Sequence, residues 1–223
     1  LLLFQFELFV LTVPVMIELF RRHDAGELRL DSTIVLRNEF KSIVDGSSYS
    51  LDALDDSDSS LYAKTGQRVT LGELNERMIT RSSNLATNAG IELLGAGRVD
   101  ATAHALGATT IQVRRGVEDG KAFSAGRNNT TSARDLGVLM AALAQDRAAS
   151  RASCEAMRAI LRRQEFNDEI PAGLPKGTPV AHKTGWITAT THDAAIIYPP
   201  GRPPYVLVVL TRAIPQRKVA QAL

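Results

Sequence analysis

Apolar positions recur at helical spacing in several stretches of the chain and change to a β-rich texture near its end. From Val13, with Pro14 in the first turn, Val15, Ile17, Leu19 and Phe20 lead to the polar stop Arg21-Arg22-His23, a pattern that predicts a buried helix. Thr70 reads as the N-cap of a second helix that carries Leu71, Leu74, Met78 and Ile79 on one face. A third runs from about Asn84 through Ile91 and Leu94 to the stop Gly95-Ala96-Gly97, and a fourth covers residues 99–106. Ser132 with Asp135 three residues on resembles a capping box, and Leu136, Leu139, Met140 and Leu143 form the stripe behind it; residues 150–163 also read as helix. Residues 178–190, 192–198 and 205–212 are β-rich and divided by turns, and predict three consecutive antiparallel strands.

The remaining stretches are weaker in pattern. Residues 35–44 are polar and irregular and lead into 45–70, whose Gly, Ser and Asp content predicts an exposed loop; residues 110–129 form a long, glycine-bearing connection. The apolar run 1–20 is not preceded by basic residues, and Gln5, Glu7, Pro14 and Glu18 interrupt it, which favours a core helix over a signal peptide or membrane span. Residues 216–223 begin a helix that is expected to stop after barely two turns.

Composition fits a soluble globular chain: 223 residues, 44% apolar, 22% charged and 5% aromatic. A chain of this size buries roughly 70% of its extended surface on folding, so it needs no disulfide or metal staple. Twenty-six basic and 24 acidic residues leave a net charge of +2. No basic stripe with interleaved aromatics is present, which argues against nucleic acid as a partner, and the densest charge cluster, residues 52–58, is acidic. The single cysteine, Cys154, excludes an internal disulfide and is expected to be a small buried residue. His23, His104, His182 and His192 lack metal-ligand spacing, and no phosphate-binding glycine loop occurs, so no metal or cofactor is expected.

Two short constellations carry chemistry: Ser82-Ser83-Asn84 at a helix junction and Lys183-Thr184-Gly185 in the first strand of the terminal sheet. Each has a plain structural reading, Ser82 or Asn84 as a helix cap and Lys183 as a solvated strand lysine. A second triplet, Lys64-Thr65-Gly66, stands in the loop before Thr70, where it reads as a turn. Only Lys183-Thr184-Gly185 lies on a strand, between Val180-Ala181-His182 and Trp186-Ile187-Thr188, where glycine allows a ligand to approach the backbone. Ser-x-Asn followed 101 residues later by Lys-Thr-Gly on a strand resembles the class A β-lactamases and related penicillin-recognising serine hydrolases. The segment Asn128-Asn129-Thr130-Thr131-Ser132-Ala133-Arg134-Asp135-Leu136 is similar to the helix entry after that family's omega loop, and the likeness extends from about Val13 to Ile214.

The resemblance implies roles. Ser82 would relay a proton to the β-lactam nitrogen as the ring opens, and Asn84 would hold the substrate's side-chain amide. Lys183 would set a positive charge beside Ser82 and the substrate carboxylate, Thr184 would hydrogen-bond that carboxylate, and Gly185 would keep the strand open to the ligand. The backbone N–H of Trp186 matches an oxyanion-hole donor. Glu118, 34 residues after Asn84, matches the glutamate that activates the deacylating water, although Ala122 stands where the family has an asparagine and neutral Asn129 where it has an ion-pairing aspartate. Glu118 as a surface residue without a role is an equal alternative.

The nucleophile is the larger departure. Ser-x-x-Lys should end just before the Val13 helix, which places its serine at Phe9 and its lysine at Thr12, and the motif occurs nowhere else in the chain. Acylation is therefore not expected. Residues 1–12 read as atypical or foreign text joined to a β-lactamase-like domain over 13–223, with a helical lobe over about 13–165 and a sheet lobe over about 171–223. The expected fold is α/β (α+β), two lobes with the cleft between them, lacking the family's first strands, so that the sheet presents an unpaired edge and an uncovered apolar face. The enzyme reading is a hydrolase opening cyclic amides; the other readings are a non-catalytic β-lactam or peptidoglycan-stem binding protein and a D,D-peptidase relative. A monomer with a small-molecule ligand and no membrane span is expected, and the resemblance implies a periplasmic or secreted setting.

Overall fold

The computed structural model describes residues 4–5 and 11–222. Phe9, matched to the family nucleophile, and much of the early apolar run lie outside the described residues. Strand β1 (Phe4–Gln5) pairs with a later two-residue strand, and helix α1 (Thr12–Asp24) follows. Val13, Val15, Met16, Ile17, Leu19 and Phe20 are all buried, because α1 is central and packs on four other helices. The expected stop at Arg21-Arg22-His23 is instead its last turn, where positive side chains suit the partial negative charge of the helix C-terminus. Glu18, which breaks up the apolar run in the sequence, is buried and accepts a hydrogen bond from the Thr102 hydroxyl at 2.6 Å. That satisfied bond lets a carboxylate sit in a core helix.

The stretch read as irregular and then as exposed loop is more ordered than its composition suggests. It holds β2 (Thr33–Val35), β3 (Phe40–Lys41), β4 (Ser48–Tyr49), a 3-10 helix over Ser59–Lys64 and β5 (Arg68–Thr70), paired as β2 with β5 and β3 with β4. Strands of two or three residues are too short to show a period of two. Leu51, Leu61, Asp56 and Asp58 are buried there, so this segment is anchored on the body.

The helical predictions hold with small shifts. Helix α2 (Leu71–Thr80) is capped by Thr70, whose hydroxyl accepts from Glu73 N; α3 (Asn84–Leu94) is capped by Ser83; and α4 (Ala96–Ala105) begins at the glycine read as a stop. Gly95 has φ +81, a conformation suited to ending one helix and opening the next within a single residue. The long connection contains α5 (Gly120–Ser124), capped by Asp119, then β6 (Thr130–Thr131), which pairs with β1. Helix α6 (Ala133–Ala144) is capped by Ser132, and α7 (Arg151–Leu161), capped by Ser150, buries Cys154.

The terminal strands β7 (Val180–Ile187), β8 (Thr190–Ile197) and β9 (Tyr205–Leu210) form an antiparallel sheet in that order. Residues opposite one another share a face, so Ala181, Lys183, Ala194 and Ile196 lie together on one side. That side joins the helical core, with α6 on β8 and β9 and α7 on β7. The other side carries His182, Thr184, Asp193, Ala195 and Ile197, partly covered by a 3-10 turn over Ile170–Gly173 and helix α8 (Arg217–Gln221). On β9 this side leaves Tyr205, Leu207 and Val209 37–45% exposed.

Candidate active site

Ser82 lies in the turn between α2 and α3, with φ +54. A serine in this left-handed region costs about 1 kcal/mol or more, so the turn is held from both sides. Ser83 is the N-cap, its Oγ accepting from Ala86 N at 3.2 Å, and Thr87 donates its hydroxyl back to Ser83 O at 2.7 Å. Ser82 itself is fully buried.

Lys183 reaches this turn from β7. Its Nζ contacts Ser82 Oγ in a short hydrogen bond and donates to Thr184 O at 2.7 Å, and the whole side chain is buried. Burial lowers its pKa to about 7, against the opposing pull of the Asp193 and Glu169 carboxylates. Near neutrality the group therefore exchanges between ammonium and amine. As ammonium it donates to Ser82 Oγ, and as amine it can accept the Ser82 proton, which is the range a proton-transfer pair needs at physiological pH.

Two residues beyond Ser82, the Asn84 amide donates to Glu118 Oε1 in a short hydrogen bond. Glu118 also has positive φ, +60, at the end of a tightly held segment. Asn88, one turn further along α3, grips that segment: its Oδ1 accepts from Val117 N at 2.6 Å and its Nδ2 donates to Val117 O at 3.0 Å. A Cβ on Gly116 would strike the Asn88 side chain, so glycine is required there by the close approach. The neutral residue at Asn129 performs the loop closure by another route. Its Oδ1 accepts from the backbone of Arg114 and Arg115 at 2.8 and 3.1 Å and its Nδ2 donates to Arg115 O at 3.0 Å. Ala122, in the position where the family has an asparagine, is fully buried.

The structure thus joins Ser82 to Lys183 and Asn84 to Glu118 across long stretches of chain. Thr184 lies on the opposite sheet face from Lys183, paired with Asp193, and its buried hydroxyl makes no hydrogen bond among the described residues; neither does Asn84 Oδ1. Gly185 continues β7 opposite His192. The Trp186 ring is set edge-on to Phe166 at 4.9 Å, with the Arg217 guanidinium 4.0 Å from its centroid. Thr12, matched to the family lysine, is buried at the start of α1. Lys64-Thr65-Gly66 ends the 3-10 helix in a turn with Gly66 at φ +83, and Lys64 pairs with Glu73, well separated in role from the β7 triplet. Asn88 and Asp56, both tied to the site's backbone, carry no motif; the only hint of Asn88 is its place one turn after Asn84, and Asp56 is hidden in an acidic run. Among the described residues no cluster of metal-ligating side chains occurs, and no helix is long and apolar enough to cross a membrane.

Comparison with known proteins agrees with this geometry. A β-lactamase from Streptomyces fradiae is 32% identical over 147 residues, which cover 64% of this chain and 48% of that enzyme, so the chain spans about half the length of its matched relative. The crystal structure of a β-lactamase from Sphaerobacter thermophilus superposes with a TM-score of 0.81 at 27% identity, covering 99% of this chain and 79% of the other. A variant of PBP-A, solved as an acyl-enzyme complex with penicillin G, matches with a TM-score of 0.78 at 28% identity, over 96% of this chain and 75% of its own. The family model described as the β-lactamase enzyme family matches residues 10–223. With the helical body, the antiparallel sheet and the Ser82–Lys183 junction between them, the chain belongs to the β-lactamase enzyme family.

Proposed function

We propose that this chain is the body of a class A β-lactamase-like serine hydrolase whose Ser82–Lys183 cleft takes β-lactam rings, and that the chain as it stands binds them without turnover. The observation that carries the reading is the contact between Lys183 Nζ and Ser82 Oγ, two groups 101 residues apart. One buried polar atom supports it: Asn84 Oδ1, two residues from Ser82, has no hydrogen-bond partner among the described residues. Leaving such a group unpaired costs free energy that a ligand's amide N–H would recover.

In this reading the Lys183 ammonium attracts the ligand carboxylate and Asn84 receives the side-chain amide, while Thr184 faces the other side of the sheet, so its expected bond to that carboxylate is not part of the reading. Ser82 is the group that would pass a proton to the ring nitrogen once a nucleophile opened the ring, with Lys183 resupplying Ser82; without that nucleophile the pair only lines the bound ligand. The Trp186 N–H serves an oxyanion, and Glu118, held against Asn84, orients water. None of these groups can replace the missing nucleophile, because Phe9 has no nucleophilic atom and Thr12 no amine. Residues 13–223 form the hydrolase domain and 1–12 an atypical lead-in. A periplasmic or secreted monomer fits the reading.

A second reading, a relative of D,D-peptidases that binds peptidoglycan stem peptides, is favoured by Ala122 and Asn129. They stand where a deacylating site has an asparagine and an ion-pairing aspartate. Incubating the purified chain with a chromogenic cephalosporin and titrating penicillin G against the fluorescence of Trp186, the single tryptophan, tests both. Saturable quenching with no chromogenic turnover is expected. Turnover would disprove the inert state, and tighter binding of a D-Ala-D-Ala peptide than of penicillin G would favour the peptidase relative. Absence of both would remove the ligand-cleft reading.

A further inference from the structure

We propose that Asp56 is a positioning residue for the Ser82–Asn84 turn, its carboxylate fixing the N-terminus of α3 and so the hydroxyl and amide that face the ligand. This rests on the cleft reading above. Asp56 is 7% exposed, although it belongs to the acidic stretch 52–58 that reads as solvated charge in the sequence. Its Oδ2 accepts from Leu85 N at 3.0 Å, from the Tyr62 hydroxyl at 3.0 Å and from Ser83 Oγ at 3.4 Å, while Oδ1 accepts from Asp58 N at 2.9 Å.

The first four N–H groups of a helix have no partner within it. Ser83 Oγ takes Ala86 N, as an ordinary N-cap does, and the buried Leu85 N–H is left for a group from elsewhere in the chain. Asp56 supplies that group, and its negative charge also suits the positive end of the helix dipole. Asp58, two residues on, accepts from Arg77 Nη1 on α2 at 2.7 Å. One acidic segment is therefore fastened to α2 and to α3, on the two sides of the turn that holds Ser82 at φ +54. A strained turn persists only where its surroundings over-determine it, and these two carboxylates are bonds from outside the α2–α3 hairpin. Tyr62 fits the same arrangement: burial and the Asp56 charge both push its pKa up, so that it stays a donor to Asp56.

Amide hydrogen exchange and the Lys183 side-chain titration, both read by NMR, test the proposal on the whole chain and on Asp56→Ala and Asp56→Asn. For Asp56→Ala, exchange at Leu85 is expected to quicken about fivefold to tenfold, the scale of a lost helix cap, with the β7–β9 amides still protected. The Lys183 midpoint is expected to rise from about 7 toward its ordinary value as water reaches the loosened turn. Asp56→Asn, which retains an oxygen for Leu85 N, is expected to fall between. Unchanged exchange at Leu85, an unmoved Lys183 midpoint, or a loss of protection spread evenly over the sheet would each overturn the proposal, the last by making Asp56 a contributor to global stability alone. Penicillin G titration runs in parallel, with weaker binding expected for Asp56→Ala. If the unaltered chain does not bind penicillin G, the cleft reading fails, while exchange and titration still decide the role of Asp56.

Discussion

A lysine withdrawn from water keeps its proton poorly, and Lys183 shows how that cost serves the site. Its pKa of about 7 lies below the ordinary value of 10.5, so between these pH values the unfolded chain binds a proton that the native chain does not. Stability from this group therefore rises with pH across that window, and the cost of burying the ammonium is felt in full below about pH 7. Urea unfolding of the native chain and of Lys183→Met, from pH 6 to pH 10, checks the sign. The variant is expected to gain most over the native chain at pH 6, with the difference narrowing toward pH 10. A difference that stays flat would mean the lysine is charged in the fold. The choice between solvated strand lysine and site lysine was open in the sequence, because the triplet does not say which way Lys183 points. Strand register decided it: opposite Ala194, Lys183 shares the face that packs on the helices, and there it meets Ser82.

At the scale of elements, several helices were legible because a capping side chain marks their start, although at α3 the cap is Ser83 and not Ser82 or Asn84. Thr70, Ser83, Ser132 and Ser150 all accept from the backbone N–H three residues on, the bond that makes such residues good N-caps. Ser132 does more than cap. Its Oγ also donates to Asp135 Oδ2 at 2.9 Å, and Thr110 donates to the same carboxylate, so the cap ties α6 to the start of the connection that carries Glu118. Ser132→Ala is expected to cost about 1–2 kcal/mol in denaturant unfolding, as N-cap losses do. A cost near zero would show that Asp135 holds the connection unaided. The short strands β2 to β5 were not legible, since two or three residues give no alternation and their pairing is a long-range event. The acidic stretch misled for a related reason: composition reports the average preference of its residues for water, and says nothing of a single carboxylate pinned by four donors.

For the whole molecule, the helical body and the terminal sheet pack together in a sequence that carries no Ser-x-x-Lys motif. The body is held by α1 and the helices around it, and the Ser82–Lys183 contact joins the α2–α3 turn to β7. Putting the dyad back is the direct test of the proposed function. Phe9→Ser combined with Thr12→Lys is expected to give a stoichiometric penicillin G adduct in intact-mass measurement, which the unaltered chain does not give. Slow release of that adduct would fit the altered surroundings of Glu118, and no adduct at all would mean that the cleft is not aligned with position 9. Exposure of Tyr205, Leu207 and Val209 on β9 leaves an apolar sheet face of the kind the sequence led us to expect.

The sequence alone determined the family, most of the longer helices, the three terminal strands and the pair of motifs, because each is written in residue types at fixed short spacing. Tertiary structure decided which Lys-Thr-Gly copy meets Ser82, that Lys183 is buried, that Asn129 bonds to the backbone of Arg114 and Arg115, and that Asn88 and Asp56 hold the backbone of Val117 and Leu85. Those facts turn on burial and on which donors meet which acceptors across tens of residues, and such pairings are fixed only when the whole chain has packed.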